Sequence, residues 1–190
     1  MKFTARLRGT TPLVMHNGRL VNPLDPIVKD IKKITAKRKK TDDDHEAIAR
    51  LEHRASLYLD PDVGPFIPGE NIHRMLVDAG KPVKLGKRVT EAVLITSDVN
   101  PIAYSGPRDA DGLFGDRNYV LMVPVRVGTA RTMRCRPIFP VWSCEATGFL
   151  DESLMDFGDL KQLAETGGAA IGLGDWRPRY GRFEVVLKAG

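Results

Sequence analysis

Three patterns in the chain predict an α+β fold: a strictly alternating first segment, amphipathic helical stretches near residues 71–79 and 154–166, and a run of extended segments between 119 and 150. Residues 2–9 alternate, with Phe3, Ala5 and Leu7 on one face and Lys2, Thr4, Arg6 and Arg8 on the other, the period of a half-buried strand. Residues 10–26 hold three prolines with Asn17-Gly18 and Asn22-Pro23, which predicts an irregular excursion. From about residue 25 to 62 the spacing is helical, with Ile27, Ile31 and Ile34 and then Ile48, Leu51, Ala55 and Leu59 in phase. Two helices are expected there, meeting at residues 41–44, where Thr41 or an aspartate caps the second. This segment reads as a helical insertion projecting from the core.

The turn at Pro68-Gly69 then opens a short helix over residues 71–79, with Ile72, Met75, Leu76 and Ala79 inward and Gly80 and Pro82 at its end. A strand is expected at 92–96, entered from 87–91, and residues 105–118, rich in Gly, Asp and Arg, read as a loop. Extended segments at 119–127 and 130–138 join at Gly128-Thr129, and Pro124 puts the first at a sheet edge or bulge. Another strand is expected at 141–150, with Trp142 in the core. A helix at 154–166 ends at Gly167-Gly168, and a last strand runs over 182–188. Without its excursions, the order is strand, helix, strands, helix, strand. That matches a split βαβ, ferredoxin-like core with an antiparallel sheet and a helical insertion (25–62) after the first strand, all in one domain over 1–190.

Composition narrows the class of function. The chain has a formal net charge of +5 and an isoelectric point near 9.3, which suits an anionic partner. Its two cysteines make no disulfide framework and sit in no zinc-ligand spacing, so no metal or cofactor is expected. No apolar run approaches a bilayer's thickness and the N-terminus lacks a signal peptide's apolar core, so a cytoplasmic protein without membrane contact is expected. No phosphate-binding loop, serine elbow or zinc-protease signature is present.

Four groups of residues could carry nucleic-acid binding. Residues 172–182, Gly-Leu-Gly-Asp-Trp-Arg-Pro-Arg-Tyr-Gly-Arg, combine flexible glycines with Arg177, Arg179 and Arg182 and with Trp176 and Tyr180 as stacking rings. Lys32, Lys33, Lys37, Arg38, Lys39 and Lys40, with Lys29, lie in twelve residues containing one acid, although Asp42, Asp43 and Asp44 follow at once. Such a finger could follow phosphates and release counterions, or be a solvated helix face. Arg126, Arg131, Arg134 and Arg136 fall on two extended segments, as a basic sheet face or a charge-protected edge. Arg74 lies on the helix after Pro68-Gly69. His16, in the excursion after the first strand, could act as a general acid or base. Asp109, Asp111 and Asp116 could be metal ligands, but turns use aspartate for their own reasons.

The segment Ile67-Pro68-Gly69-Glu70-Asn71-Ile72-His73, taken with the glycine-rich loop 172–182, resembles the RAMP superfamily, the ferredoxin-like RNA-binding proteins of CRISPR systems. Backbone subunits of that family commonly show an Ile-Pro-Gly-Ser-Ser-Ile-Lys-type helix start and a terminal Arg-Gly-aromatic-Gly-Arg loop. The step Thr10-Thr11-Pro12-Leu13 is similar to the family's first strand exit. Glu70 and Asn71 stand in place of two serines, His73 in place of lysine, and Asp175 and Trp176 change the loop. The resemblance covers the two ends and the helix start, and the chain is shorter than most such subunits, so a stand-alone or phage-encoded relative is as good a fit as a CRISPR component. It implies a non-catalytic protein that binds single-stranded RNA or DNA and assembles side by side along the strand, with itself or with other RAMP-type subunits. Relatives that cleave RNA without metal give an alternative, an endoribonuclease using His16. A structural assembly protein that binds no nucleic acid is the third.

Overall fold

The computed structural model describes the backbone of all 190 residues and every side chain except those of Val127 and Ala130. In chain order the elements are β1 (Lys2–Gly9), β2 (Leu13–Val14), α1 (Pro26–Thr35), α2 (Asp42–Ser56), β3 (Leu59–Asp60), β4 (Gly64–Pro68), α3 (Gly69–Gly80), α4 (Gly86–Ala92) and β5 (Val93–Ile95). They continue with β6 (Val99–Pro101), α5 (Ala110–Gly115), β7 (Val120–Val127), β8 (Ala130–Phe139), β9 (Ser143–Leu150), α6 (Phe157–Thr166) and β10 (Phe183–Ala189). All strand pairs are antiparallel.

The largest sheet has the order β10-β1-β9-β5. β1 lies between β10 and β9, and its strict alternation leaves one face buried and one solvated: Phe3, Ala5 and Leu7 are buried while Arg6 and Arg8 are exposed. α3 and α6 cover the apolar face, where Ile72, Met75, Leu76, Leu160 and Ala164 join Phe3, Ala5 and Leu7 in the core. The helix face of α3 predicted by its spacing is the buried one. Trp142 is 2% exposed, as expected, and its indole nitrogen donates to the Thr11 carbonyl at 2.9 Å. A second sheet, β2-β8-β7, has β7 at its edge, the position Pro124 requires.

Four expectations are corrected. Residues 87–91, read as the entry to a strand, lie in α4, which also takes in Ala92, read as the strand's first residue. The segment 105–118 is not a plain loop: Asp109 caps α5 by accepting from the Asp111 and Gly112 amides, and Asp116 caps a 3-10 turn at Arg117–Tyr119. The capping roles account for two of the three aspartates, and Asp111 faces Arg50 at 3.3 Å. Gly167 and Gly168 do not stop α6; the chain continues as a π-helical turn, Gly167–Ile171, and Gly172 at φ 78° ends it. Both glycines serve close approach instead, since a Cβ would collide with the Met75 sulfur at one and the Phe183 carbonyl at the other. Finally, the insertion projects only in part. Its outer end carries the expected cap, with Thr41 Oγ1 accepting from the Asp44 amide at 3.2 Å and the Asp44 carboxylate from the Thr41 amide at 3.2 Å. Its inner end is buried against β8 through Glu52, His53, Ala55 and Ser56.

Candidate nucleic-acid interface

The glycine-rich loop is held in place by the strand exit, 160 residues or more away in sequence. The Asp175 amide donates to the Val14 carbonyl at 2.8 Å, Gly181 to Pro12 at 2.8 Å, and Thr10 to Arg182 at 2.8 Å. Within the loop, Leu173 donates to Gly181 at 2.9 Å. Gly172, Gly174 and Gly181 sit at φ 78°, 79° and 74°, where side chains are disfavoured. At Gly174 and Gly181 a Cβ would also run into the carbonyl oxygens of Val14 and Leu173. The glycines are therefore required twice, by conformation and by contact.

The turn at Ile67-Pro68 and the start of α3 form the third wall. Together the three segments enclose a cleft of about 180 Å³. Leu13, Met15, Phe66 and Leu173 give it an apolar floor, and His16, Asn71, Arg74, Asp175 and Arg177 its polar parts. The two sequence segments paired above thus meet in space, with the strand exit between them.

Asp175 is the electrostatic anchor. Its Oδ2 lies 3.4 Å from both His16 Nδ1 and Arg136 Nε, and its Oδ1 accepts from the Trp176 amide at 3.0 Å. Burial alone would raise its pKa. Hydrogen bonds from His16 and the Trp176 amide, with the charges of His16 and Arg136, outweigh that and hold it below the ordinary 3.8. Asp175→Asn is expected to cost about 2 kcal/mol at pH 7, less than a fully buried pair because Asp175 is 23% exposed, since Arg136 loses its countercharge. The folded pKa is depressed, so this stabilisation is complete above pH 3.8 and disappears as pH falls below that value. Urea melts of both proteins from pH 7 down to 3 read the closing gap.

Beside the cleft one carboxylate faces three cations, two of which, Arg74 and Arg177, line it. Asp78 lies 3.2 Å from Arg74, 2.7 Å from Lys81 and 3.8 Å from Arg177. Burial pushes its pKa up, but Lys81 and Arg74 beside it outweigh this and keep it below the usual range. The local excess is positive. Arg179 and Arg182 are exposed on the outer side of the loop, where Arg182 Nε donates to the Pro178 carbonyl at 2.7 Å. Trp176 is half-buried with its ring 6.4 Å from that of Tyr180, and the Arg179 guanidinium lies 5.5 Å above Tyr180.

The other expected residues lie apart from the cleft. α2 ends two residues before Tyr58, which lines the cleft, and is roughly 22 Å long, with the lysine-rich segment at its opposite end. At the tip Lys33 pairs with Asp30 at 2.8 Å and Lys37 with Asp44 at 2.6 Å, while Lys40 Nζ donates to the Lys37 carbonyl. The Lys37 and Thr41 hydrogen bonds lower the Asp44 pKa. Lys32, Arg38 and Lys39 are exposed and have no ion-pair partner among the described residues. Arg126 and Arg131 face each other across the β7–β8 hairpin. Arg134 and Arg136 are engaged inside the protein: Arg134 pairs with the buried Glu52, and Arg136, 7% exposed, with Asp175.

Sequence reasoning missed Lys81, Asp78 and Tyr58, and named Asn71 only as a departure from the helix-start motif. The spacing of Arg74, Asp78 and Lys81 was the available signal for the first two; for Tyr58 there was none. Among the described residues no group of three or more His, Cys, Asp or Glu converges as a metal site, and no helix is long and apolar enough to cross a membrane. Cys135 and Cys144 are buried free thiols, both pushed up to about 12 by burial. No protein-family model matches the chain, and no curated protein matches it.

Proposed function

We propose that this chain is a ferredoxin-like, RAMP-type protein that binds single-stranded nucleic acid through phosphate charge and base stacking, without catalysis and without a cofactor, and assembles side by side along the strand in the cytoplasm. The observation that carries the reading is the cleft where the strand exit, the Pro68-Gly69 helix start and the glycine-rich loop converge, with Arg74 and Arg177 in its lining. The fold assignment draws on the sheet order, in which β9 lies between β1 and β5 and opposes both, while α3 and α6 supply the two crossovers. Further support comes from Arg126 and Arg131. Like charges directly across a ladder destabilise it, and an anion between them would relieve the repulsion. The unpaired Lys32, Arg38 and Lys39 would extend the phosphate path to a neighbouring stretch of strand.

Changing Arg177, Arg179 and Arg182 together to alanine is expected to weaken binding of a labelled 30-mer by at least tenfold, while Lys32, Arg38 and Lys39 changed together cost a smaller factor. Fluorescence anisotropy measures both. Equal affinity of the loop variant and the unchanged protein would contradict the proposal. A second reading, the metal-independent endoribonuclease, rests on the His16–Asp175 contact, which would orient the imidazole. Cleavage of hairpin RNA in EDTA that disappears in His16→Ala would favour it. If the protein is a structural assembly protein instead, light scattering will show oligomers whose size is indifferent to added oligonucleotide.

A further inference from the structure

We propose that β10, the outer strand of the four-stranded sheet, pairs antiparallel with β10 of a second copy of this chain about a two-fold axis at Val186, so that two sheets join into one. This goes beyond the strand-binding reading and does not depend on it. The sheet order β10-β1-β9-β5 leaves one side of β10 without a neighbouring strand. The Gly190 amide donates to the Lys2 carbonyl at 3.0 Å and the Thr10 amide to the Arg182 carbonyl at 2.8 Å. With the β1 register, this turns the backbone groups of Glu184, Val186 and Lys188 toward β1. Those of Val185 and Leu187 point outward and meet no hydrogen-bond partner among the described residues. Only at Phe183 is the edge covered, where its carbonyl faces Gly168. Sheet edges are commonly blocked by a proline or an inward-pointing charge, and β7 carries Pro124. β10 has neither over its seven residues, while the opposite edge, β5, is only three residues long.

The segment Glu184-Val185-Val186-Leu187-Lys188 is complementary to its own reverse, which is why the occupant is a second copy. Pairing centred on Val186 sets Val185 opposite Leu187 of the second copy as a hydrogen-bonded pair, using the outward backbone groups. Glu184 then stands opposite Lys188 of the second copy as a non-hydrogen-bonded pair, where side chains come closest. Two-fold symmetry makes each contact twice and closes the assembly at a dimer. Glu184 and Lys188 are exposed and form no ion pair among the described residues, and Val186 at the axis is 55% exposed. On the other face, half-buried Val185 and buried Leu187 continue the apolar layer beneath α3 and α6 across the joint. Centring the pair on Val185 or Leu187 would set Lys188 against Arg182 or against Val186 and leave Glu184 without a cation. The charges therefore select one register.

Sedimentation equilibrium of the full chain without oligonucleotide tests this. The mass is expected to rise with concentration from 21.0 kDa toward twice that value. Glu184→Lys and Lys188→Glu each create two like-charge pairs across the joint, and each alone should weaken self-association roughly tenfold. An equimolar mixture of the two variants should associate like the unchanged protein, because each supplies the charge the other lacks. Misfolding cannot produce that rescue. Lys188 stands opposite Thr4 in β1, so Lys188→Glu should also keep the thermal midpoint of the unchanged protein to within a few degrees. A mass of 21.0 kDa at every concentration overturns the proposal. So do variants that associate as tightly as the unchanged protein, or a mixture no tighter than either variant alone. Each of these results leaves strand binding standing, and a failure to bind single strands leaves the dimer standing.

Discussion

Gly181→Ala is expected to lower stability by about 3 kcal/mol and to reduce single-strand affinity by well over tenfold. Gly181 sits at φ 74°, its amide donates to the Pro12 carbonyl at 2.8 Å and its carbonyl accepts from Leu173 at 2.9 Å. A methyl group there would collide with the Leu173 carbonyl oxygen, which is backbone and cannot rotate away. The loop must therefore leave the strand exit, and the wall bearing Asp175 and Arg177 leaves with it. Gly158→Ala is the matched control. That glycine lies in the first turn of α6 with open space at its Cβ, so alanine there should be neutral or stabilising by up to about 1 kcal/mol and leave binding unchanged. Chemical denaturation and anisotropy on the pair would contradict the account if Gly181→Ala folds and binds like the control.

Glu52→Ala carries the second large expectation, a loss of about 3–4 kcal/mol measured by urea unfolding. Glu52 is 4% exposed, accepts from the Cys135 amide at 3.0 Å with one oxygen, and pairs with Arg134 through the other. Its removal strands a buried backbone N–H and a cation at the contact between α2 and β8. Arg134→Ala should cost less, because Arg134 is 34% exposed and the Glu52 carboxylate keeps the Cys135 amide. The two variants also separate structure from binding. If Arg134 contributes to the fold, Arg134→Ala changes stability and leaves strand affinity nearly intact; a strand-binding Arg134 would show the reverse.

Local periodicity made much of the framework legible. The alternation at Phe3, Ala5 and Leu7, the α3 spacing of Ile72, Met75, Leu76 and Ala79, and the hairpin turn at Gly128-Thr129 each depend on neighbours within a few residues. The short helix α5 was hidden because the Gly, Asp and Arg that suggest a loop also supply its cap, Asp109. Gly167 and Gly168 misled for a related reason. A glycine that ends a helix and one that admits a neighbouring side chain look alike in a sequence, and only the positions of Met75 and Phe183 distinguish them.

The candidate site divides along the same line. Each of its segments was visible: the strand exit, Pro68-Gly69 and the glycine-rich loop. Their convergence was not, because it depends on hydrogen bonds such as Asp175 to Val14 across the whole chain. The roles of Arg134 and Arg136 were hidden by distance as well, since their carboxylate partners lie 82 and 39 residues away. Asp175, the acid in an otherwise basic loop, anchors that loop to the protein through Arg136, His16 and the Val14 carbonyl.

Anisotropy of a labelled single strand titrated between 50 and 200 mM salt tests the central claim most directly. With about five phosphates neutralised, the logarithm of the binding constant should fall linearly against the logarithm of salt concentration with a slope of about −3.5, a loss of roughly a hundredfold over that range. An affinity that does not change with salt, or no binding of single strands at the lowest salt, would contradict it.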